Sequence, residues 1–446
     1  MNQPLDVSYK GILKMSLPIA IGAFIQFIVV LSDNSFLSQV DPDMMSGAGN
    51  SGLIYVSLVM IIMGLSSGLQ ILVARRNGEN KPLEAGKITA NTLLIGFLMA
   101  VFIYFLLYIS RIYWFHEWIN SKVILNYMDA FLSIRSIGVL FYFITLLIIG
   151  FYTGIAKTTI LIYTTVLTAG INIVLDYIFI FGKFGFVPQG IEGAARATII
   201  AEAVTTVFVL GYVFFDRSIK PYQIGKALTK IPLQYSKLIM KISWPMIVQY
   251  TLSLSTWAIF FFFVEKLGRD ELQISHVMRN LYMLVFISAM GFGQTAKTYI
   301  STLIAEKRQW ELVSMIKKLI FMNLVGILVL SHGFWMYPQA ILEWFHVNPA
   351  RFEDGKKVML VVFFTSFLVS VSTILVNTVL GSGNTKFGLL FEIIGVVVYL
   401  IAAYYFTIVI AAPIYIVWLC DAVYFIAVTV CSMLYLRFSN WKYYQI

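Results

Sequence analysis

Apolar runs of about 20 residues recur along the whole chain, each long enough to cross a hydrocarbon layer about 30 Å thick as a helix. They predict twelve spans, over 14–37, 50–74, 86–110, 127–153, 158–181, 190–214, 238–264, 272–300, 313–336, 356–380, 385–410 and 412–436. The short alternating segments of an outer-membrane barrel are missing. The chain up to Leu13 is polar and the run after it is too long for a signal-peptide core, so no cleavable leader is expected. Connections are short except 215–237, which contains "DRSIKPYQIGKALTKIPLQYSK" at the midpoint of the chain. The expected division is a six-helix lobe at 1–214, a cytoplasmic linker at 215–237 and a second six-helix lobe at 238–446.

An internal repeat supports two halves. "MSLPIAIG" (15–22) matches "ISWPMIVQ" (242–249), "MGLSSGLQ" (63–70) matches "MGFGQTAK" (290–297), and "GFYTGIAKTT" (150–159) matches "TVLGSGNTKF" (378–387). Pro18 and Pro245, Gly64 and Gly291, and Gly154 and Gly381 are all separated by one and the same offset. Six spans per half is an even number, so both halves start on the same side. The repeat is then parallel, with a pseudo-two-fold axis along the membrane normal.

Composition agrees with this all-α polytopic reading. The 446 residues are 59% hydrophobic and only 12% charged, too little polar surface for a soluble domain of this size. Of the 32 Lys and Arg, 21 lie in or next to the termini and even-numbered loops, 8 in or next to the odd-numbered loops, and Arg135, Arg196 and Arg279 deeper within spans. That bias puts both termini in the cytoplasm. It also accounts for the net charge of +10 without nucleic acid, for which there is no basic soluble domain. Cys420 and Cys431 share the last apolar run and read as packing residues. His116, His276, His332 and His346 have no second ligand at metal spacing. No phosphate-binding loop and no H-E-x-x-H is present, and "GLSSG" (64–68), which fits G-x-S-x-G, lies inside a predicted span instead of on a strand-to-helix turn, so neither ATP hydrolysis nor another enzymatic activity is expected, and no cofactor.

The chemistry lies in polar residues inside the spans. Thr164, Thr168, Asn172 and Asp176 recur at every fourth position, one stripe on one helix face. A carboxylate at that depth costs roughly 2.5–3.5 kcal/mol on insertion scales, so it must face other helices or water. Interhelical hydrogen bonding accounts for the threonines; for Asp176 an amide would serve without the charge. Gln26 and Asp33 share a face of the first helix, and Thr198 and Glu202 a face of the sixth. In the second half the offset carries Asp33 onto Phe260 and Asp176 onto Ala403. The buried acids there are Glu392 and Asp421, read as structural, with Arg279 as the expected salt-bridge partner of one of them. Trp257 opens the aromatic run "WAIFFFF", a candidate surface for flat cations together with Gln249, Ser253 and Arg279.

These segments resemble a known family. "SLPIAIGAFIQFIVVLSDNSFL" (16–37), "GLSSGLQILVARRNGE" (64–79), "GFYTGIAKT" (150–158), "NIVLDYIFIFGKFGF" (172–186) and "GIEGAARATIIAE" (190–202) are similar to the multidrug and toxic compound extrusion (MATE) transporters. The resemblance implies a monomeric inner-membrane antiporter, exporting organic cations and amphipathic drugs in exchange for protons or sodium. It implies a coupling site at Asp33, Asn172, Asp176 and Thr198, where a sodium ion or a proton would bind, as in the branch that keeps this site in its first half. Gln26, Thr168, Arg196 and Glu202 are candidates for the surrounding polar cavity, Arg196 as a change in its charge. The chain departs from the family in having Thr153, Ala156 and Lys157 in the fourth-helix pattern. It also has Ser253 in place of a helix 7 glutamate, and no acid in the tenth span. The alternative reading is a lipid or lipid-linked oligosaccharide flippase of the same superfamily, which would line its cavity with several Arg and Lys.

Overall fold

The computed structural model describes residues 4–113, 115, 119 and 121–446; His116 lies outside them. The described chain is helical throughout. Six long helices come from the first half: α1 (Tyr9–Val40), α2 (Pro42–Gly78), α3 (Pro82–Tyr113), α4 (Lys122–Gly154), α5 (Thr159–Phe181) and α6 (Gly190–Phe215). Six come from the second: α7 (Ser236–Glu265), α8 (Arg269–Ala305), α9 (Leu312–Ser331), α10 (Phe352–Gly381), α11 (Thr385–Tyr404) and α12 (Leu419–Phe438). Among the described residues, eleven helices are long and apolar enough to cross a membrane; α8 is the long helix that is not among them. Its lower hydropathy has a physical reason. Most of its length is covered by protein, including Ser275, Ser288, Thr295, Thr298 and Ser301, so polar side chains can be tolerated there.

The spans expected from hydropathy lie inside longer helices at several ends, because a helix continues past the apolar layer. The last expected span, 412–436, is instead broken. Ala411 has a positive φ of 43° and Pro413 follows, so a short turn at Ile414–Val417 precedes α12. The segment expected as a linker, 215–237, has structure of its own. It folds into short helices at Arg217–Tyr222, Ile224–Thr229 and Leu233–Tyr235. Tyr222 donates its hydroxyl to Asn77, and Asn91 donates to the carbonyl of Pro232 (2.7 Å), which pins the segment to α2 and α3.

Two compact units form, Ile21–Ile247 and Met1–Ala20 with Val248–Ile446. Their borders fall inside α1 and α7, whose repeat-matched prolines Pro18 and Pro245 sit within the helices. The repeated glycines explain those borders. A Cβ on Gly64 of α2 would lie 2.5 Å from the backbone of Ile247 in α7, and one on Gly291 of α8 would lie 2.8 Å from the carbonyl oxygen of Ser16 in α1. The early turns of α1 and α7 therefore pack against a backbone that only glycine exposes so closely. The second pair repeats this. Gly154 abuts Gln70 and Val73, and Gly381 abuts Lys297 and Ile300, so the partners too are related by the repeat offset. The sequence repeat is thus a repeat of helix-crossing points, where small residues let backbones meet.

Adding one methyl group at such a crossing forces backbone to move, at a typical overpacking cost of about 1–3 kcal/mol. Gly154→Ala and Gly381→Ala should each lower the thermal unfolding midpoint in detergent. Gly211→Ala, whose Cβ would meet nothing within 4 Å, should leave it unchanged or raise it slightly.

Candidate functional site

Asp176 sits in the last two turns of α5, which stops at Gly182 in the left-handed conformation (φ 66°). Asp33 comes from the C-terminal part of α1, and Thr198 from the first half of α6. Leu37, Ile180, Ile191 and Ala194 form an apolar cluster at this end of the three helices and fix their spacing. The result is a pocket of oxygen atoms in the first unit. The Asp33 and Asp176 carboxyl groups lie close enough to interact directly. Both Asp176 oxygens, Asp33 Oδ1 and Asn172 Oδ1 are buried without a hydrogen-bond donor. Asp176 itself is wholly inaccessible and Asn172 nearly so.

Thr198 stands beside Asn172. Its hydroxyl donates to the Ala194 carbonyl (2.9 Å) and accepts from Asn172 Nδ2 (3.2 Å). It therefore turns the Asn172 amide, leaving Asn172 Oδ1 free, and keeps one lone pair of its own uncommitted. Thr168 shares a hydrogen bond with Thr205 on α6 (2.7 Å) and Thr164 bonds back to its own helix, the first of these being the interhelical role expected of the stripe. Gln26 lies on an exposed face of α1.

Glu202 is not an open cavity residue. It accepts a two-pronged ion pair from Arg135 of α4, at 2.6 and 2.8 Å. The guanidinium lies 3.9 Å from the centre of the Tyr55 ring, and it acts electrostatically on Asp33. Gly138, in the tight turn Ser136–Gly138 just after Arg135, makes room. A Cβ there would lie 2.1 Å from Arg135 Nη1 and 2.4 Å from Glu202 Oε2. Sequence reasoning missed this pair because the two residues stand 67 positions apart on different helices. Arg196, by contrast, does not reach the oxygen cluster. It is exposed and engaged by Glu192 (2.9 Å) and Gln189 (2.7 Å), one and two turns back on the same surface.

In the second unit, Arg279 pairs with neither acid. It lies over the Phe261 ring at 5.3 Å. Neutral donors hold Glu392 instead: Ser253 (2.6 Å), Tyr424 (2.8 Å) and Gln249 (3.4 Å). Asp421 lies near Tyr399 and Cys420. Trp257 is part of an aromatic cluster, stacked on Tyr282 at 6.1 Å and near Phe261 and Phe286. Lys297, grouped from sequence with the basic loop residues, is buried in α8 with its ammonium 3.4 Å from the Tyr250 hydroxyl. Among the described residues no three His, Cys, Asp or Glu side chains converge as a transition-metal site would need.

A MatE family model matches residues 18–178 and again 245–405, two stretches whose starts are Pro18 and Pro245, the first matched pair of the internal repeat. The chain belongs to the MatE family. Among curated relatives, it is 24% identical over 386 residues to the probable multidrug resistance protein NorM of Thermotoga maritima, covering 84% of this chain and 80% of that one. It is 21% identical over 348 residues to the probable NorM of Synechocystis, covering 77% and 74%. Among solved structures, a multidrug resistance MATE family transporter of the MOP superfamily in an outward-facing conformation superposes with a TM-score of 0.87, 18% identity and coverage of 96% and 94%. A variant of the Vibrio cholerae MATE transporter VcmN superposes with a TM-score of 0.87 at 15% identity, covering 98% of each chain. The fold is thus that of the MATE transporters, with two six-helix lobes, and the family model matches once in each half of the sequence repeat.

The Arg135–Glu202 pair yields a stability prediction. Glu202→Gln leaves a buried guanidinium without its counter-charge, and breaking a buried pair from one side costs about 3–5 kcal/mol. The unfolding midpoint should fall sharply. The double replacement Arg135→Met with Glu202→Leu should recover most of the loss, since a packed apolar pair leaves no orphan charge.

Proposed function

We propose that this chain is a secondary active antiporter that exports organic cations and amphipathic drugs in exchange for protons or sodium. The cluster of Asp33, Asn172 and Asp176 is its coupling site. One observation carries the reading: four buried oxygens, on the interacting carboxyls of Asp33 and Asp176 and on Asn172 one turn before Asp176, have no donor among apolar membrane-length helices. Burying such a charge uncompensated is costly, and a bound cation removes the cost. A proton shared between the two carboxyls would satisfy them. A sodium ion would be met by oxygens of Asp33, Asp176 and Asn172, with Thr198 holding the amide in place. The Arg135 guanidinium, fixed by Glu202, stays out of the pocket.

Coupling then follows from differential binding. The ion is held well where the oxygens converge and poorly where they separate, so loading it biases the protein towards one conformation. Exported substrate and ion favour opposite members of the pair. A membrane potential adds roughly 2.3 kcal/mol per charge moved fully across for each 100 mV. The two six-helix halves, 1–214 and 238–446, act as the lobes that alternate. The basic termini and even-numbered loops face the cytoplasm, in a cell's inner membrane, and the transporter works as a monomer. A phosphate-binding flippase is not favoured, because each in-span arginine is engaged locally: Arg135 by Glu202, Arg196 by Glu192 and Arg279 by Phe261.

The test is substrate flux in proteoliposomes under a proton gradient alone and a sodium gradient alone. Wild type is expected to move a fluorescent organic cation against one of the two gradients. Asp33→Asn and Asp176→Asn, folded and inserted, are expected to fall to the level of protein-free vesicles. No flux under either gradient from well-folded protein would overturn the proposal.

A further inference from the structure

Glu392 is a buried carboxylate that the coupling site does not use. It stands on the second turn of α11, 4% exposed, inside the second unit. Its surroundings form a built site. Ser253 of α7 donates to Oε1 at 2.6 Å, Tyr424 of α12 donates to Oε2 at 2.8 Å, and Gln249 of α7 approaches Oε2 at 3.4 Å. Three helices therefore converge on one acid. The titratable neighbours are Tyr424 itself and, beyond its ring, Asp421; among the described residues no Lys, Arg or His acts on Glu392. The carboxylate is held by dipoles alone, in a span, with no compensating positive charge.

The donors are of a particular kind. Serine and tyrosine hydroxyls both donate and accept, so each can reverse its hydrogen bond. With Glu392 ionised, both hydroxyls point at it. With Glu392 protonated, the new O–H donates to one hydroxyl, which turns its own hydrogen elsewhere; Ser253 has the Gln249 carbonyl within 3.0 Å for this. Both charge states are fully bonded, with no side-chain displacement. A metal ion would share the carboxylate with three hydrogen-bond donors and would meet no second carboxylate held against it.

We propose that Glu392, with Ser253 and Tyr424, is a second proton-binding site of this protein, in its second half. It takes up one proton per chain and releases it to water, independently of the Asp33–Asp176 cluster. The proposal goes beyond the antiport reading and does not rest on it, since the proton is counted without transport.

The measurement is the infrared difference spectrum of the purified full chain in lipid between high and low pH, where each protonating carboxyl adds its own C=O band. Wild type is compared with Glu392→Gln, Glu392→Asp and Tyr424→Phe, and also with Asp176→Asn. The expected result is loss of one band in Glu392→Gln, a shift of that band in Tyr424→Phe, and its retention in Asp176→Asn. Should the Gln variant not fold, a displaced band in Glu392→Asp carries the assignment. Identical carboxyl bands in wild type, Glu392→Asp and Tyr424→Phe would overturn the proposal. So would a band that responds to added sodium at constant pH. A Glu392 band in a protein that transports nothing would leave this site standing and remove the antiport reading alone.

Discussion

A carboxylate inside a membrane-spanning bundle needs a partner, and the partner chosen decides what the carboxylate can do. This chain shows three solutions. Glu202 has a permanent one, the Arg135 guanidinium, locked by two short hydrogen bonds and a tyrosine face. Glu392 has neutral hydroxyl donors that can reverse. Asp33 and Asp176 have each other, which supplies no donor unless a cation enters. The first is a strut, the second a proton rest, and the third a pair of acceptors that a cation completes. On the proposed reading, coupling in the first unit depends on keeping the strut and the acid pair adjacent but separate. If Arg135 swung onto Asp33 it would neutralise the site. The ion pair with Glu202 and the room left by Gly138 hold it away.

The fold supplies the frame for this with few devices. Glycines at Gly64, Gly154, Gly291 and Gly381 let helices cross at backbone distance. Such crossings are rigid, because packing at that distance admits no slack. The apolar cluster around Leu37 and Ile180 pins the C-terminal ends of α1 and α5 near the start of α6.

Much of this was legible in the sequence. The stripe ending at Asp176 and the constant offset between matched prolines and glycines are simple patterns, and each has a direct structural counterpart. Apolar length predicted all twelve long helices, α8 among them at 272–300; α8 is less apolar than the other eleven because protein covers most of its length. What stayed hidden were relations between distant helices. Nothing in the sequence couples Arg135 to Glu202, or Ser253 and Tyr424 to Glu392. Pairing Glu392 or Asp421 with Arg279 followed the rule that buried charges seek opposite charges, but polar hydroxyls satisfied Glu392 and an aromatic face took the arginine. Arg196 looked like a cavity residue because it falls in a span; its place on the helix surface beside Glu192 depends on rotation, which spacing alone left open.

The central claim is that the Asp33–Asp176 pocket binds the ion that competes with the exported substrate. The most direct measurement is the binding affinity of a fluorescent organic cation to purified protein by anisotropy, titrated across pH and across sodium at constant ionic strength. The account predicts that affinity weakens as one of the two ions rises in wild type, and that this dependence vanishes when Asp33 and Asp176 are both replaced by Asn. An ion dependence that persists unchanged in the double variant would contradict it.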